Sequence, residues 1–233
     1  MKRLAFSDGT LEALKWVGLV IMTGDHVDKY LFNSTLTPFF NAGRLAAPLF
    51  IFVLAYNLAR PGAMERGAYR RTMGRLAVTG IVATPLFLSL GGLLHGWWPG
   101  NILLSLLVLT GVLGLLDRRT AGSYTLAVTV FVVGGSSVEF WWPGLALGVG
   151  TWWYCRRPGW MPATLAVGSL AGLYLVNGNF WALAAGPLVL GAGKLDLRVP
   201  RVKWVFYIYY PLHLAVILAI KVHMAKAGYL FFY

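Results

Sequence analysis

A chain of 233 residues, 58% of them hydrophobic and only 12% charged, with a mean hydropathy of +0.67, cannot clothe a globular surface in water, where about 25% of residues are charged. The net charge of +12 would point to nucleic acid in a soluble protein, but here the cations lie in short segments between apolar runs. They read as topology determinants, and no nucleic-acid partner is expected.

In chain order, apolar runs broken by Pro, Gly and charge predict spans near 10–30, 38–59, 75–94, 101–116, 121–136, 139–155, 161–177, 179–193 and 203–222. The first run lacks a small-x-small cleavage site and carries Asp25, His26, Asp28 and Lys29 at its far end, so it is expected to be retained as a span. The fifth to eighth runs are short and Gly-rich, which leaves a re-entrant hairpin open for one pair. The expected fold is an all-α polytopic transmembrane bundle of about nine spans. Residues 1–233 form one integral membrane domain on this reading, with membrane lipids as its surroundings.

Lys and Arg alternate between loops. Lys2 and Arg3 precede the first span; Arg60, Arg66, Arg70, Arg71 and Arg75 follow the second. Arg118 and Arg119, then Arg156 and Arg157, then Lys194, Arg198, Arg201 and Lys203 mark later alternate loops, while Leu94 to Gly100 and Val176 to Asn179 are nearly free of cations. This pattern predicts a cytoplasmic N-terminus and, with nine spans, a C-terminus outside. Trp97, Trp98, Trp141, Trp142, Trp152, Trp153 and Trp204 fall where aromatic belts are expected. The single cysteine, Cys155, excludes an internal disulfide.

An ionisable residue within a span is costly and therefore a functional candidate. Asp25 and Lys29 stand one turn apart and are able to pair. An interfacial helix end accounts for Asp28 and Lys29, whereas Asp25 and His26 lie deeper and point to function. Arg44, a few residues into the second span, either snorkels to the surface or holds a carboxylate or a developing oxyanion. Asn101 opens the fourth span and Glu139 the sixth, both near the outer surface with Asp25, His26 and Arg44; helix capping and the helix dipole are the structural alternatives. In the last span Pro211 tends to kink the helix and free the carbonyl near Tyr207, and Tyr209 and Tyr210 stand one turn before His213. Gly91-Gly92 near His95 matches neither a dinucleotide fingerprint nor a P-loop, and no metal-ligand spacing is present, so no metal is expected.

Three segments together resemble the TraX family of conjugative-pilin acetylases, which includes the TrbP-like proteins of broad-host-range conjugative plasmids. They are Leu19-Val20-Ile21-Met22-Thr23-Gly24-Asp25-His26, Gly43-Arg44-Leu45-Ala46-Ala47-Pro48-Leu49-Phe50 and Phe206-Tyr207-Ile208-Tyr209-Tyr210-Pro211-Leu212-His213-Leu214. Asn101-Ile102-Leu103-Leu104 is similar to a further family segment. The resemblance implies a multi-span protein of the bacterial inner membrane that acetylates the N-terminus of a pilin subunit, with acetyl-CoA as donor. It also implies an aspartate near the start of the sixth span, where this chain has Glu139.

Acetyl transfer to an amine needs the neutral nucleophile, and an α-amino group of pKa about 7.7–8.0 is only partly neutral at physiological pH. On that reading His26 accepts the proton, Asp25 orients groups or receives the amine's charge, and Arg44 with Asn101 stabilises the oxyanion. His213 and Tyr210 complete the substrate pocket with Glu139, and Arg70, Arg71 and Arg75 hold the CoA phosphates. The polar cluster then faces outward while the arginines face inward, so the thioester arm must pass between helices. Rival readings are a transporter, a non-catalytic pilus-assembly factor, and acyl transfer to a sugar or lipid.

Overall fold

The structure, a computed structural model, describes residues 4–92 and 98–229. Lys2, Arg3, His95 and Trp97, and the predicted cation-poor segment from Leu94 as far as Trp97, lie outside the described residues. Every named element among those described is helical, with one isolated bridge between Gly100 and Val138. The elements are α1 (Asp8–Leu31), α2 (Thr37–Gly43), α3 (Ala46–Ala59), α4 (Ala68–Ser89), α5 (Ile102–Arg118) and α6 (Ala121–Ser137). There follow α7 (Trp141–Arg156), α8 (Trp160–Gly172), α9 (Tyr174–Asn177), a 3-10 turn (Trp181–Ala184), α10 (Ala185–Ala192) and α11 (Val205–Lys226). Among the described residues, three helical segments are long and apolar enough to cross a membrane: Thr37–Ala59, Ala68–Ser89 and Val205–Lys226.

Local chemistry accounts for the ends of these helices. Ser7 caps α1 by accepting the Thr10 N–H, Asn101 caps α5, and Thr120 with Ser123 forms a capping box on α6. Pro85 and Pro211 sit inside α4 and α11, and both helices run on through them. The predicted second span is divided at Arg44 and Leu45, where the Arg44 and Leu45 N–H groups bond back to Asn41 and Ala42 and tighten the turn. The predicted seventh and eighth spans are assembled from short pieces. Gly178, at φ 69°, ends α9, and α10 has only eight residues, about 12 Å of rise against a hydrocarbon layer of about 30 Å.

Helix α3 lies at the centre, packed against α1, α5 and α7, and its Leu49, Ala55 and Leu58 are fully buried. Its sequence, Ala-Ala-Pro-Leu-Phe-Ile-Phe-Val-Leu-Ala, is apolar all round, as a helix enclosed by others must be. Helices α4 and α11 pack on each other, with α5 against α4 and α1 against α11. Outward faces carry bare aliphatic side chains, including Ile81 and Val82 on α4, Val128 and Val133 on α6, and Leu212 and Val216 on α11. Such faces suit a lipid surrounding better than water.

The expected aromatic belt is only partly made. Trp142, Trp153 and Trp204 are exposed, but Trp152 is buried, donates to the Tyr69 hydroxyl at 3.1 Å and is covered by the Arg156 guanidinium. Arg156 also forms a two-pronged ion pair with Asp117, joining α7 to α5. Trp98 stacks on Trp141 and donates to the Ser136 carbonyl at 2.8 Å, so it braces the α6–α7 turn.

The segment 194–204 between α10 and α11 is strapped across the start of α1. Thr10 Oγ1 donates to the Leu195 carbonyl at 2.7 Å and accepts the Leu197 N–H at 3.2 Å. Glu12, 2% exposed, accepts the Val202 N–H at 3.1 Å through one oxygen and pairs with Lys15 at 2.6 Å through the other. Gly9 permits this approach, since a Cβ there would collide with the Leu197 carbonyl.

Candidate active site

Two cavities meet inside the bundle. The smaller, about 180 Å³, is lined by Asp25, His26, Lys29 and Tyr30 of α1, by Arg44, by Glu139 and Phe140, and by Tyr210 of α11. At its side, Arg44 donates to Asp25 Oδ1 at 2.5 Å and to the Phe40 carbonyl at 3.1 Å, with its guanidinium over the Phe40 ring. The turn after α2 aims Arg44 back at α1, and Gly43 allows the approach because a Cβ there would strike the Asp25 carboxyl. Asp25 therefore pairs with Arg44 rather than with Lys29, the partner expected from helical spacing. Lys29 stays on the pocket wall, one turn from both Asp25 and His26.

His26 faces α11. Its Nδ1 lies 2.7 Å from His213 Nε2, and His213 Nδ1 lies 2.9 Å from the Tyr209 carbonyl. The ring planes are within 11° of each other and the centroids 5.0 Å apart. The N···N distance plus the two ring radii accounts for that separation, so the bond runs in the plane of both rings. His213 is buried and does not line the pocket; its expected place in the pocket wall is corrected to a place behind His26. Thr23 Oγ1 lies 2.8 Å from both the Leu19 carbonyl and the Tyr209 hydroxyl, fixing α1 against α11 at the same level.

Glu139 reaches the pocket from the α6–α7 turn, not from a helix's first turn as expected. Gly100 N–H bonds to Ser137 O, Glu139 N–H to Gly100 O, and Ser105 Oγ to Glu139 O at 2.7 Å, pinning the turn to the start of α5. Ile102, at the open end of α5, lines the same cavity as Glu139 and Tyr210. Phe140 and Trp141 hold positive φ of 65° and 45°, a conformation that disfavours bulky residues, and the strain accompanies the delivery of Glu139 and Phe140 into the cavity.

Asn101 is a correction of a different kind. Its amide donates to the Gly80 carbonyl and the Thr84 hydroxyl, at 3.2 and 3.1 Å, and its oxygen accepts the Leu103 N–H. Fully buried and absent from the pocket wall, it ties α4 to α5 and has no donor to spare for an oxyanion. Asp28 is likewise buried, accepting the Leu36 N–H at 2.7 Å to hold the α1–α2 connection.

The larger cavity, about 500 Å³, opens among the predicted cation-rich segments. Lys15, Arg60, Arg66, Arg71 and Arg75 line it from α1 and from the α3–α4 connection into α4. Arg201 and Lys203 line it from the strap, and no carboxylate is among its lining residues. Of the three residues expected to hold CoA phosphates, Arg71 and Arg75 line this cavity and Arg70 does not. Arg60 is shared with Asp8 at 2.6 Å, a bond that holds the Asp8 carboxyl below its usual range. The two cavities have Met22, Phe50, Ile102 and Tyr210 in common.

The residues missed in the sequence are Lys29, read as an interfacial helix end, and Tyr30, Phe140 and Glu12. Helical spacing from His26 was a usable signal for Lys29 and Tyr30. The charge of Glu12 within the predicted first span was also a usable signal, whereas nothing local distinguishes Phe140.

The all-helical frame, its membrane-length apolar helices and a buried polar pocket beside a cationic cavity define a helical membrane protein with an enclosed polar centre. Residues 10–221 match the family model described as TraX protein, and the chain belongs to the TraX family. It is similar to Protein TraX of Escherichia coli, 31% identical over 132 residues that make up 57% of this chain and 50% of that protein. Protein TraX of Escherichia coli (strain K12) is 30% identical over 132 residues, with the same two shares. The chain spans about half the length of the curated relatives it matches. No solved structure matches it.

Proposed function

We propose that this protein is a membrane-embedded acetyltransferase that moves the acetyl group of acetyl-CoA to the N-terminal amine of a conjugative pilin. The observation that carries the reading is the wall shared by the two cavities. A cation-lined space suited to a phosphorylated carrier abuts a histidine-containing pocket, and Met22, Phe50, Ile102 and Tyr210 line both. Along α1, eleven residues separate Lys15 from His26, about 16 Å of helix. That is the order of an extended pantetheine arm, and it relieves the difficulty that cations and polar cluster occupy opposite ends of the bundle.

In this mechanism Arg71, Arg75, Arg201 and Lys203 hold the phosphates, since a cluster of cations takes a polyanion without geometric demand. The amine enters the small pocket, where Glu139 is the carboxylate available to it, Asp25 being committed to Arg44. The amine nitrogen attacks the thioester carbonyl carbon, the C–S bond breaks, and the ammonium proton passes to His26 and on to the leaving thiolate. Arg44 and Lys29 stabilise the oxyanion in an enclosed site, where such contacts count for more than in water. The chain crosses the bacterial inner membrane nine times with its N-terminus cytoplasmic, and the seventh and eighth crossings are the short pair around α8 to α10.

Intact mass spectrometry of a pilin produced with this protein, without it, and with the His26→Ala variant tests the reading. A one-acetyl gain that needs the protein and falls by a factor of about 10²–10⁴ in the variant is the expected result. No gain with the intact protein overturns acetylation of that pilin. Opposed cavities are also what a transporter presents; on that second reading the protein moves a solute in proteoliposomes and modifies nothing.

A further inference from the structure

We infer that His213 is a positioning residue that locks His26 in the tautomer protonated on Nδ1, leaving a lone pair on Nε2 aimed into the small pocket. The inference deepens the acetyltransferase reading and rests on it for its catalytic meaning, but the tautomer itself follows from the hydrogen-bond chain.

The chain of bonds has only one direction. A carbonyl oxygen accepts and never donates, so the 2.9 Å contact between His213 Nδ1 and the Tyr209 carbonyl places a hydrogen on Nδ1. Neutral His213 then carries its lone pair on Nε2. The 2.7 Å contact from that atom to His26 Nδ1 requires a hydrogen on His26 Nδ1. The ring geometry fits, because the two imidazoles are nearly coplanar and the bond lies in both planes. With Nδ1 engaged, the ring nitrogen of His26 left for a ligand is Nε2, and His26 lines the pocket whereas His213 does not.

The surroundings keep the chain in register. Thr23 has one hydroxyl hydrogen; when it goes to the Leu19 carbonyl, the Tyr209 hydroxyl donates to Thr23, so the residue that orients His213 is itself held to α1. An unconstrained histidine side chain favours the other tautomer, with Nε2 protonated, which would present a donor to the incoming amine and no base. His213 removes that inactive form. When His26 takes the amine's proton, its Nδ1–H becomes a stronger donor to His213, so the partner that selects the tautomer also stabilises the imidazolium.

The test uses the full-length protein, labelled with ¹⁵N-histidine, in detergent micelles. Nitrogen NMR at neutral pH should place the hydrogen of His26 on Nδ1, with the resonances assigned by their loss in His26→Asn. A His26 found with Nε2 protonated overturns the inference, and the intact protein alone decides this. Two variants read the consequence. His213→Phe keeps a flat aromatic ring but removes the acceptor, and should slow single-turnover transfer by at least about tenfold while leaving the KM for acetyl-CoA unchanged. His213→Gln, whose amide oxygen can accept from Nδ1–H, should recover part of that loss. Equal rates in His213→Phe and the intact protein, or equal losses in both variants, overturn the positioning role. Failure of the acetyltransferase reading looks different: the intact protein transfers nothing although the Nδ1-protonated signal is present.

Discussion

At the scale of single residues, the centre of the molecule is organised by two pairings between distant segments. Arg44 and Asp25 lie 2.5 Å apart with side chains less than a fifth exposed. Removing one partner from so enclosed a pair leaves the other charged and alone, at a cost of about 3–5 kcal/mol, and removing both costs less than the sum. Asp25→Asn and Arg44→Gln should therefore each lower the melting temperature in detergent, and the double variant should melt higher than additivity predicts. Strictly additive losses would mean the two groups act independently. The chemical types at this centre were legible in the sequence, because charges and histidines are conspicuous in an apolar span. Their partners were not: His26 meets His213 across 187 residues, and helical spacing pointed Asp25 at Lys29 when a tight turn delivers Arg44 instead. Asn101 shows the opposite error, since its depth marked it for chemistry while its amide is consumed in joining α4 to α5.

At the scale of elements, hydrophobic runs marked where helices occur, and helix-capping residues marked several of their ends. Breaks within runs were harder. Arg44 and Leu45 divide one apolar run because the tight turn there is held by backbone bonds, and α8, α9 and α10 are pieces of runs that composition alone joins. The strap 194–204 was visible only as a cation-rich connection. Its fastening by Thr10 and Glu12 depends on a meeting between segments nearly the whole chain apart. Glu12 holds Lys15 with one oxygen and the strap bearing Arg201 and Lys203 with the other. Glu12→Gln weakens the first contact and leaves the amide oxygen or its NH₂ facing Val202, so the cations of the large cavity lose their spacing. The expected outcome is a severalfold rise in the KM for acetyl-CoA with the single-turnover rate at saturation unchanged. A fall in that rate with KM constant would place Glu12 in the chemistry instead.

At the scale of the whole molecule, composition announced a lipid environment, and the helices bear this out with aliphatic faces turned outward. What no hydropathy profile contains is that a cationic cavity and a histidine-bearing pocket approach until they share a layer of wall side chains. That layer, Met22, Phe50, Ile102 and Tyr210, carries an electrical obligation. An energised membrane drops its whole voltage across its thinnest insulating section, worth about 2.3 kcal/mol per elementary charge at 100 mV, so on the proposed acetyltransferase reading these four residues hold a gradient as well as pass a thioester. Trimming the two flexible members, Met22→Ala with Phe50→Ala, should short-circuit vesicles that carry the protein, seen as faster decay of an imposed potential reported by a voltage-sensitive dye. Unchanged decay would assign the insulation to other layers. On the acetyltransferase reading the dielectric seal and the chemical doorway are the same few side chains, and enlarging the doorway discharges the membrane.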